Sequence, residues 1–260
     1  MLNIRSKLDT SSESKPPTKQ SHSTYGCFNA YIDGFNLYKG LLERNPQSKW
    51  LDLPSLCQSL RPNLRLNKIF YFTARVKQIY QGDDSPKRQH SYLRVLENQG
   101  VNVVLGKFRK DEYWQHLAST QREQVIEPTL KSYFGLVQKA LSSSRNRAQP
   151  NPPKARVLRM QEKGSDVNLA SYLLRDCFEG LGNALVISGD SDLVTPISFA
   201  RTFGANVRVV VPNPDIKCSA LRQAASSLIQ LTYSDVSEFQ LPEVFRTNSG
   251  RIIVRPSHWA

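Results

Sequence analysis

Histidine is scarce, cysteines are never closely spaced and no long apolar run occurs in this 260-residue sequence. Each shortage excludes something. The four cysteines, Cys27, Cys57, Cys177 and Cys218, form no CxxC pair. That spacing argues against a disulfide framework or a structural zinc module, and for reduced thiols in the cytoplasm. No stretch approaches the roughly 20 apolar residues of a membrane-spanning helix, so no membrane partner is expected. The first 24 residues are rich in Ser, Thr, Lys and Pro and lack the apolar core of a secretory signal; they are predicted to be a disordered polar head. Hydrophobic residues make up 39% of the chain, low for a compact fold but enough for one sizeable core once polar segments are set aside.

Acids are in deficit as well: 35 Lys and Arg face 22 Asp and Glu, a net charge of +13. Such an imbalance predicts affinity for polyanions, nucleic acid first among them. Residues 61–110 contain eleven Lys or Arg against three acids, and residues 120–163 contain nine against three. The sign then reverses, with Asp166, Asp176, Glu179, Asp190 and Asp192 facing Arg175 alone over residues 164–192. A cation site flanked by a polyanion-binding surface explains both halves. Acids gathered in helix first turns explain the acidic half without any function.

The pattern along the chain alternates strands and helices. Cys27–Asp33 reads as a first strand ending in a carboxylate, and Asn36–Glu43 has helical spacing. Pro54–Leu60 is predicted helical, Asn67–Val76 a buried strand, Ser85–Asn98 a helix and Val101–Phe108 the next strand. Residues 109–153 read as an insertion, with helix predicted near Tyr113–Trp114 and Tyr133–Phe134 and an exposed Ser/Arg/Asn/Pro loop. Regularity returns with strands at Arg156–Met160, Ala184–Ser188, Asn206–Val211 and Leu228–Leu231. Helices at Ser165–Phe178, Ser191–Phe203 and Ser219–Ser226 separate them. This alternation implies an α/β fold with a mostly parallel central sheet covered on both faces. The tail Glu243–Arg255 has two short apolar runs around Asn248-Ser249-Gly250, a hairpin pattern.

Open α/β sheets bind ligands beyond the C-terminal ends of their strands. Asp33 ends the first strand, Asp190 follows the strand at Ala184–Ser188, Asp192 opens the next helix, and Asp166 opens the helix after Arg156–Met160. Four acids from three strand–helix junctions are therefore predicted at one sheet edge. Gathered carboxylates raise one another's pKa unless a cation or a shared proton compensates. Hard oxygen donors suit Mg²⁺ or Mn²⁺, and such a site can direct water onto a phosphodiester. Asp192 and Asp166 have an alternative reading as caps or first-turn acids, and Asp190 as a turn residue. Asp33, between an apolar strand and Gly34, is expected to gain little from capping alone.

The segments YIDGFNLY (31–38), KGSDVNLASYLL (163–174) and VISGDSDLVTPI (186–197) resemble the three signature stretches of the NYN domain. That domain is a branch of the PIN-like nuclease superfamily whose bacterial members include the LabA-like proteins. The resemblance covers roughly residues 25–232, leaving 233–260 as a C-terminal extension. It implies a three-layer αβα sandwich whose acidic pocket holds Mg²⁺ or Mn²⁺ and cuts RNA. The acid of the IDGxN motif falls on Asp33 and its amide on Asn36. The KGxD motif falls on Lys163 and Asp166, and the SGDxD motif on Ser188, Asp190 and Asp192. The insertion and the terminal hairpin depart from a minimal domain of this kind.

The four acids are thus the candidate metal ligands and catalytic residues. No histidine is placed as a base: His22, His90, His116 and His258 lie in the head, the basic arms or the tail. Asn36 is a candidate for contacting a scissile phosphate or fixing Asp33, with a local helix-start bond as the alternative. Ser188 and Lys163 are further substrate-binding candidates. Arg75 and Lys77, with Lys107, Arg109 and Lys110, are the expected backbone contacts to RNA. Tyr113, Trp114 and Tyr133 either stack unpaired bases or form a small core of the insertion. A haloacid-dehalogenase-type phosphatase needs a second Asp two residues after the first, where this chain has Phe35. A non-catalytic RNA-binding or scaffold protein and a DNA-directed nuclease of the same fold are the standing alternatives. The insertion and the tail hairpin offer surfaces for a homodimer, although no residue pattern demands one.

Overall fold

From Phe28 to Asp33 every residue of strand β1 (Cys27–Asp33) is buried, as a strand covered on both faces requires. A computed structural model describes residues 26–116 and 154–259. In it β1 pairs in parallel with β2 (Arg65–Thr73), and β2 with β3 (Asn102–Leu105). Two further strands, β4 (Lys107–His116) and β5 (Lys154–Lys163), pair only with each other and antiparallel. On its other side β1 pairs with β6 (Asn183–Ile187), followed by β7 (Asn206–Val211) and β8 (Ser227–Gln230), all parallel. The resulting six-stranded order is β3-β2-β1-β6-β7-β8. Strand succession reverses between β1 and β6, so that junction is the switch point of a doubly wound sheet.

Side chains alternate along each strand, and the two faces have separate cores. Phe28, Ala30 and Ile32 of β1, with Ile69 and Tyr71 of β2, pack against the helices of one layer. Those are α1 (Gly34–Leu37) and the turn of π-helix at Tyr38–Leu42, then α2 (Leu53–Leu60) and α3 (Ser85–Asn98). Tyr31, Phe70 and Phe72 face the opposite layer. That layer is α4 (Ser165–Phe178), α5 (Val194–Thr202) and α6 (Ser219–Ala224). The architecture is the three-layer sandwich expected from the sequence. Past the sheet come α7 (Tyr233–Ser237) and the hairpin β9 (Val244–Arg246) and β10 (Ile252–Val254). The short turn at Ser257–Trp259 then seats Trp259 against Trp50 and Tyr92, with ring centroids 6.1 Å from each. Among the described residues no helix is long and apolar enough to cross a membrane.

Three expectations are corrected. The strand predicted over Val101–Phe108 breaks at Gly106, where a Cβ would lie 2.7 Å from the Lys163 carbonyl oxygen. The chain changes partner there, leaving the central sheet for the β4–β5 ribbon. The predicted helix at Tyr113–Trp114 is therefore strand, and Arg156–Met160 belongs to the ribbon and not to the sheet. The polar head and the predicted helix at Tyr133–Phe134, with its neighbouring loop, lie outside the described residues.

Asp176, counted among the acids of the acidic stretch, lies far along α4 from its first turn and serves the fold. It is buried, and it accepts hydrogen bonds from Tyr31 Oη at 2.6 Å, Asn29 Nδ2 at 3.0 Å and Arg175 Nε at 2.9 Å. Burial and this carboxylate together raise the Tyr31 phenol pKa. Asp176→Ala leaves two buried β1 donors without an acceptor, so a loss of about 2–4 kcal/mol is expected in urea denaturation.

Candidate functional site: a carboxylate crevice at the switch point

The crevice is built around Asp33, the last residue of β1 and only 3% exposed. One carboxylate oxygen, Oδ1, accepts the Asn36 backbone N–H at 2.8 Å and so caps α1. The other, Oδ2, accepts the Ser188 hydroxyl at 3.0 Å. Capping is thus part of what Asp33 does, contrary to expectation. Its neighbour has to be glycine for a separate reason: a Cβ on Gly34 would stand 2.4 Å from Cζ of Tyr71.

Ser188 is 1% exposed and its bonds are internal, because its oxygen also accepts the Asp190 N–H at 3.1 Å. Asn36 Oδ1 accepts the Gly189 N–H at 2.9 Å, tying the turn after β1 to the turn after β6. Both predicted substrate contacts are therefore braces that hold Asp33 and Asp190 side by side. Asp190 caps the following 3₁₀ turn by accepting the Asp192 N–H at 2.9 Å. Asp192 and Asp166 are exposed first-turn acids of that turn and of α4.

Glu162, at the base of β5, joins this group and was not singled out from the sequence. Its carboxylate accepts the Ser165 hydroxyl. Burial raises its pKa to about 7, with further upward pushes from Asp166 and Asp33. Burial likewise raises Asp33 to about 6, against the Asn36 hydrogen bond, with Asp166 and Asp190 adding to the rise. Asp166, though its side chain reaches solvent, is raised by partial desolvation at the crevice rim, then by Asp190 and Asp192. Like-charge pushes thus link Asp33, Glu162, Asp166, Asp190 and Asp192. No three carboxylates are placed closely enough to ligate one ion among the described residues. Hydrated Mg²⁺ does not need three: it keeps several waters and binds through one or two carboxylates plus a substrate phosphate. The donor set therefore fits a hard divalent cation held partly through water, and does not fit a dry protein cage.

The basic candidates fall in two places. Arg75 and Lys77 are exposed in the segment after β2. Lys107 and Lys163 pair across the base of the ribbon, one residue from the pair Phe108 and Glu162. Alternation puts Lys107, Lys163 and Arg109 on the face opposite Glu162, so they do not share the acids' side of the ribbon. Like charges paired across strands oppose each other, and a polyanion would relieve them. Tyr113 and Trp114 are 43% and 68% exposed on the ribbon, so among the described residues they form no core.

A doubly wound α/β protein with a carboxylate crevice at its switch point is the class that fold and site define. No known protein family's profile matches the chain. Among curated proteins, 6-hydroxy-3-succinoylpyridine 3-monooxygenase from Pseudomonas putida is 23% identical over 255 residues, 88% of this chain and 74% of that protein. Among solved structures, a protein of unknown function from Vibrio parahaemolyticus aligns with a TM-score of 0.46 at 13% identity, covering 83% of this chain and 96% of that one.

Proposed function

We propose that this protein is a metal-dependent ribonuclease of the NYN type, cutting single-stranded RNA internally in a crevice that holds Mg²⁺ or Mn²⁺. One observation carries the reading: five acids on a strongly basic chain gather near the switch point, where burial and like-charged neighbours raise the proton affinity of Asp33, Glu162 and Asp166. A protein gains nothing in stability from such repulsion, and a cation relieves it. A divalent ion bound there would supply positive charge to the scissile phosphate and activate a water. Asp33, fixed by Ser188 and the Asn36 N–H, presents a carboxylate of set orientation. Asp190, braced through Ser188 and Gly189, faces it from β6, while Asp166 and Asp192 add negative charge from the rim. Glu162 closes the crevice from the ribbon.

Substrate class is tested by incubating the protein and Mn²⁺ with single-stranded RNA, single-stranded DNA and duplex DNA of one sequence. Preferential loss of the RNA supports the reading; preferential loss of DNA makes this a DNA-directed nuclease. Salt-sensitive RNA binding without cleavage points to a binding or scaffold protein. The Pseudomonas enzyme's name supplies a rival. A monooxygenase would consume a hydroxypyridine in the presence of oxygen and a reductant, which a nuclease leaves intact.

Glu162→Gln is expected to fold normally and to raise the Mn²⁺ concentration needed for half-maximal cleavage by about 10- to 100-fold, as outer ligand partners do. Metal titrations of the cleavage rate measure it. An unchanged metal requirement removes Glu162 from the site.

A further inference from the structure

A cavity of about 420 Å³ opens beside the carboxylate crevice, within the size range of small-ligand sites. Glu162 belongs to its wall, and Gly34 and Phe35, which also line it, follow Asp33 directly. The two spaces are therefore contiguous. Its wall is strongly aromatic, with Phe35, Tyr38, Tyr71, Phe108 and Trp259. Phe35 is 41% exposed, an unusual place for a phenyl ring one residue past the buried Asp33–Gly34 pair.

Tyr71 is the most telling member. It is 8% exposed, packs edge-on to Tyr92, and its hydroxyl donates to no acceptor among the described residues. The hydroxyl oxygen itself is not fully buried, so it can donate to an acceptor that a ligand brings into the cavity. Four cations line the same cavity: Lys39, Lys49, Lys77 and Arg88. Lys39 is paired with Glu43 and Arg88 with Asp84. Lys49 sits 5.2 Å from the Tyr38 ring centroid. Neither Lys49 nor Lys77 has a carboxylate partner among the described residues.

We propose that this cavity receives one unpaired nucleobase between its aromatic walls, with the Tyr71 hydroxyl on a base acceptor and the attached phosphate at Lys49 and Lys77. Flat walls favour a ring, and unpaired ammonium groups favour an anion; a nucleotide carries both. The inference deepens the ribonuclease reading and rests on it for the claim that the same strand continues to the carboxylates. A base inside a helix cannot enter, so the pocket imposes selection for single strands.

The test is isothermal titration of the full chain in EDTA with adenosine and uridine 5′-monophosphates, ribose 5-phosphate and 4-hydroxybenzoate. At least one nucleotide is expected to bind tenfold or more tightly than ribose 5-phosphate. Tyr71→Phe and Lys77→Gln should each weaken it severalfold with unchanged melting temperature. Equal binding of ribose 5-phosphate overturns the proposal, since the rings then contribute nothing. Binding of 4-hydroxybenzoate without the nucleotides also overturns it and assigns the cavity to a small aromatic acid. No binding at all overturns it too. Because EDTA removes any metal chemistry, nucleotide binding by a protein that never cuts RNA keeps the pocket and ends the ribonuclease reading. Cleavage without nucleotide binding does the reverse.

Discussion

Asp33→Asn is expected to give a protein that is more stable than the native chain at pH 8 and cuts RNA roughly a thousandfold more slowly or worse. The rate follows from the proposed role of Asp33 at the centre of the metal site. The stability gain follows from burial, which raises this carboxyl from 3.8 to about 6. The folded state therefore holds the proton more tightly than the unfolded chain does. Stability is highest below the ordinary carboxyl pKa, falls as pH rises from 3.8 to about 6, and stays lower above that. At 1.36 kcal/mol per pKa unit the ionised group costs about 3 kcal/mol at most. An amide keeps the Asn36 N–H bond and part of the Ser188 contact, so a net gain of about 1–2 kcal/mol remains. Urea denaturation at pH 8 and pH 4 measures it: the gain should appear at the higher pH and vanish at the lower. A variant destabilised at both, with cleavage intact, contradicts the account.

Between pH 5 and pH 7.5 the Mn²⁺-dependent rate should climb by about a hundredfold or more. Metal ligation requires ionised carboxylates, while Asp33 is raised to about 6, Glu162 to about 7, and Asp166 upward as well. Protonation below these values empties the site of negative charge, so activity is lost on the acid side. More Mn²⁺ competes with protons for the same oxygens and should move the midpoint to lower pH. A rate flat over this interval, or a midpoint indifferent to metal concentration, would mean the crevice acids do not hold the ion.

Much of this architecture is legible in local sequence. β1, α3, α4 and β7 have the bounds that periodicity predicts, because each is either a long amphipathic helix or a short run buried on both faces. The ribbon was missed for a physical reason. Its first strand, KFRKDEYWQH, has no apolar alternation, and its partner lies far along the chain, Lys107 pairing with Lys163 and His116 with Lys154. Gly106 looked like an interior strand residue because the Lys163 carbonyl that forbids a side chain there is visible only in three dimensions. Glu162 was hidden in the same way: it reaches the crevice because the ribbon returns to the end of β1. Asp33, Asp166, Asp190 and Asp192 were readable because strand ends and helix starts fix them locally. The bracing roles of Ser188 and Asn36 needed the β1–β6 register, which brings the two turns together.

The most direct measurement is cleavage of end-labelled, unstructured single-stranded RNA by the native protein, Asp33→Asn and Asp190→Asn, each with Mn²⁺, with Mg²⁺ and with EDTA. The account predicts internal cuts by the native protein with either metal, none in EDTA, and loss in both variants. Intact RNA in every lane, or cutting that survives EDTA and both substitutions, would contradict it.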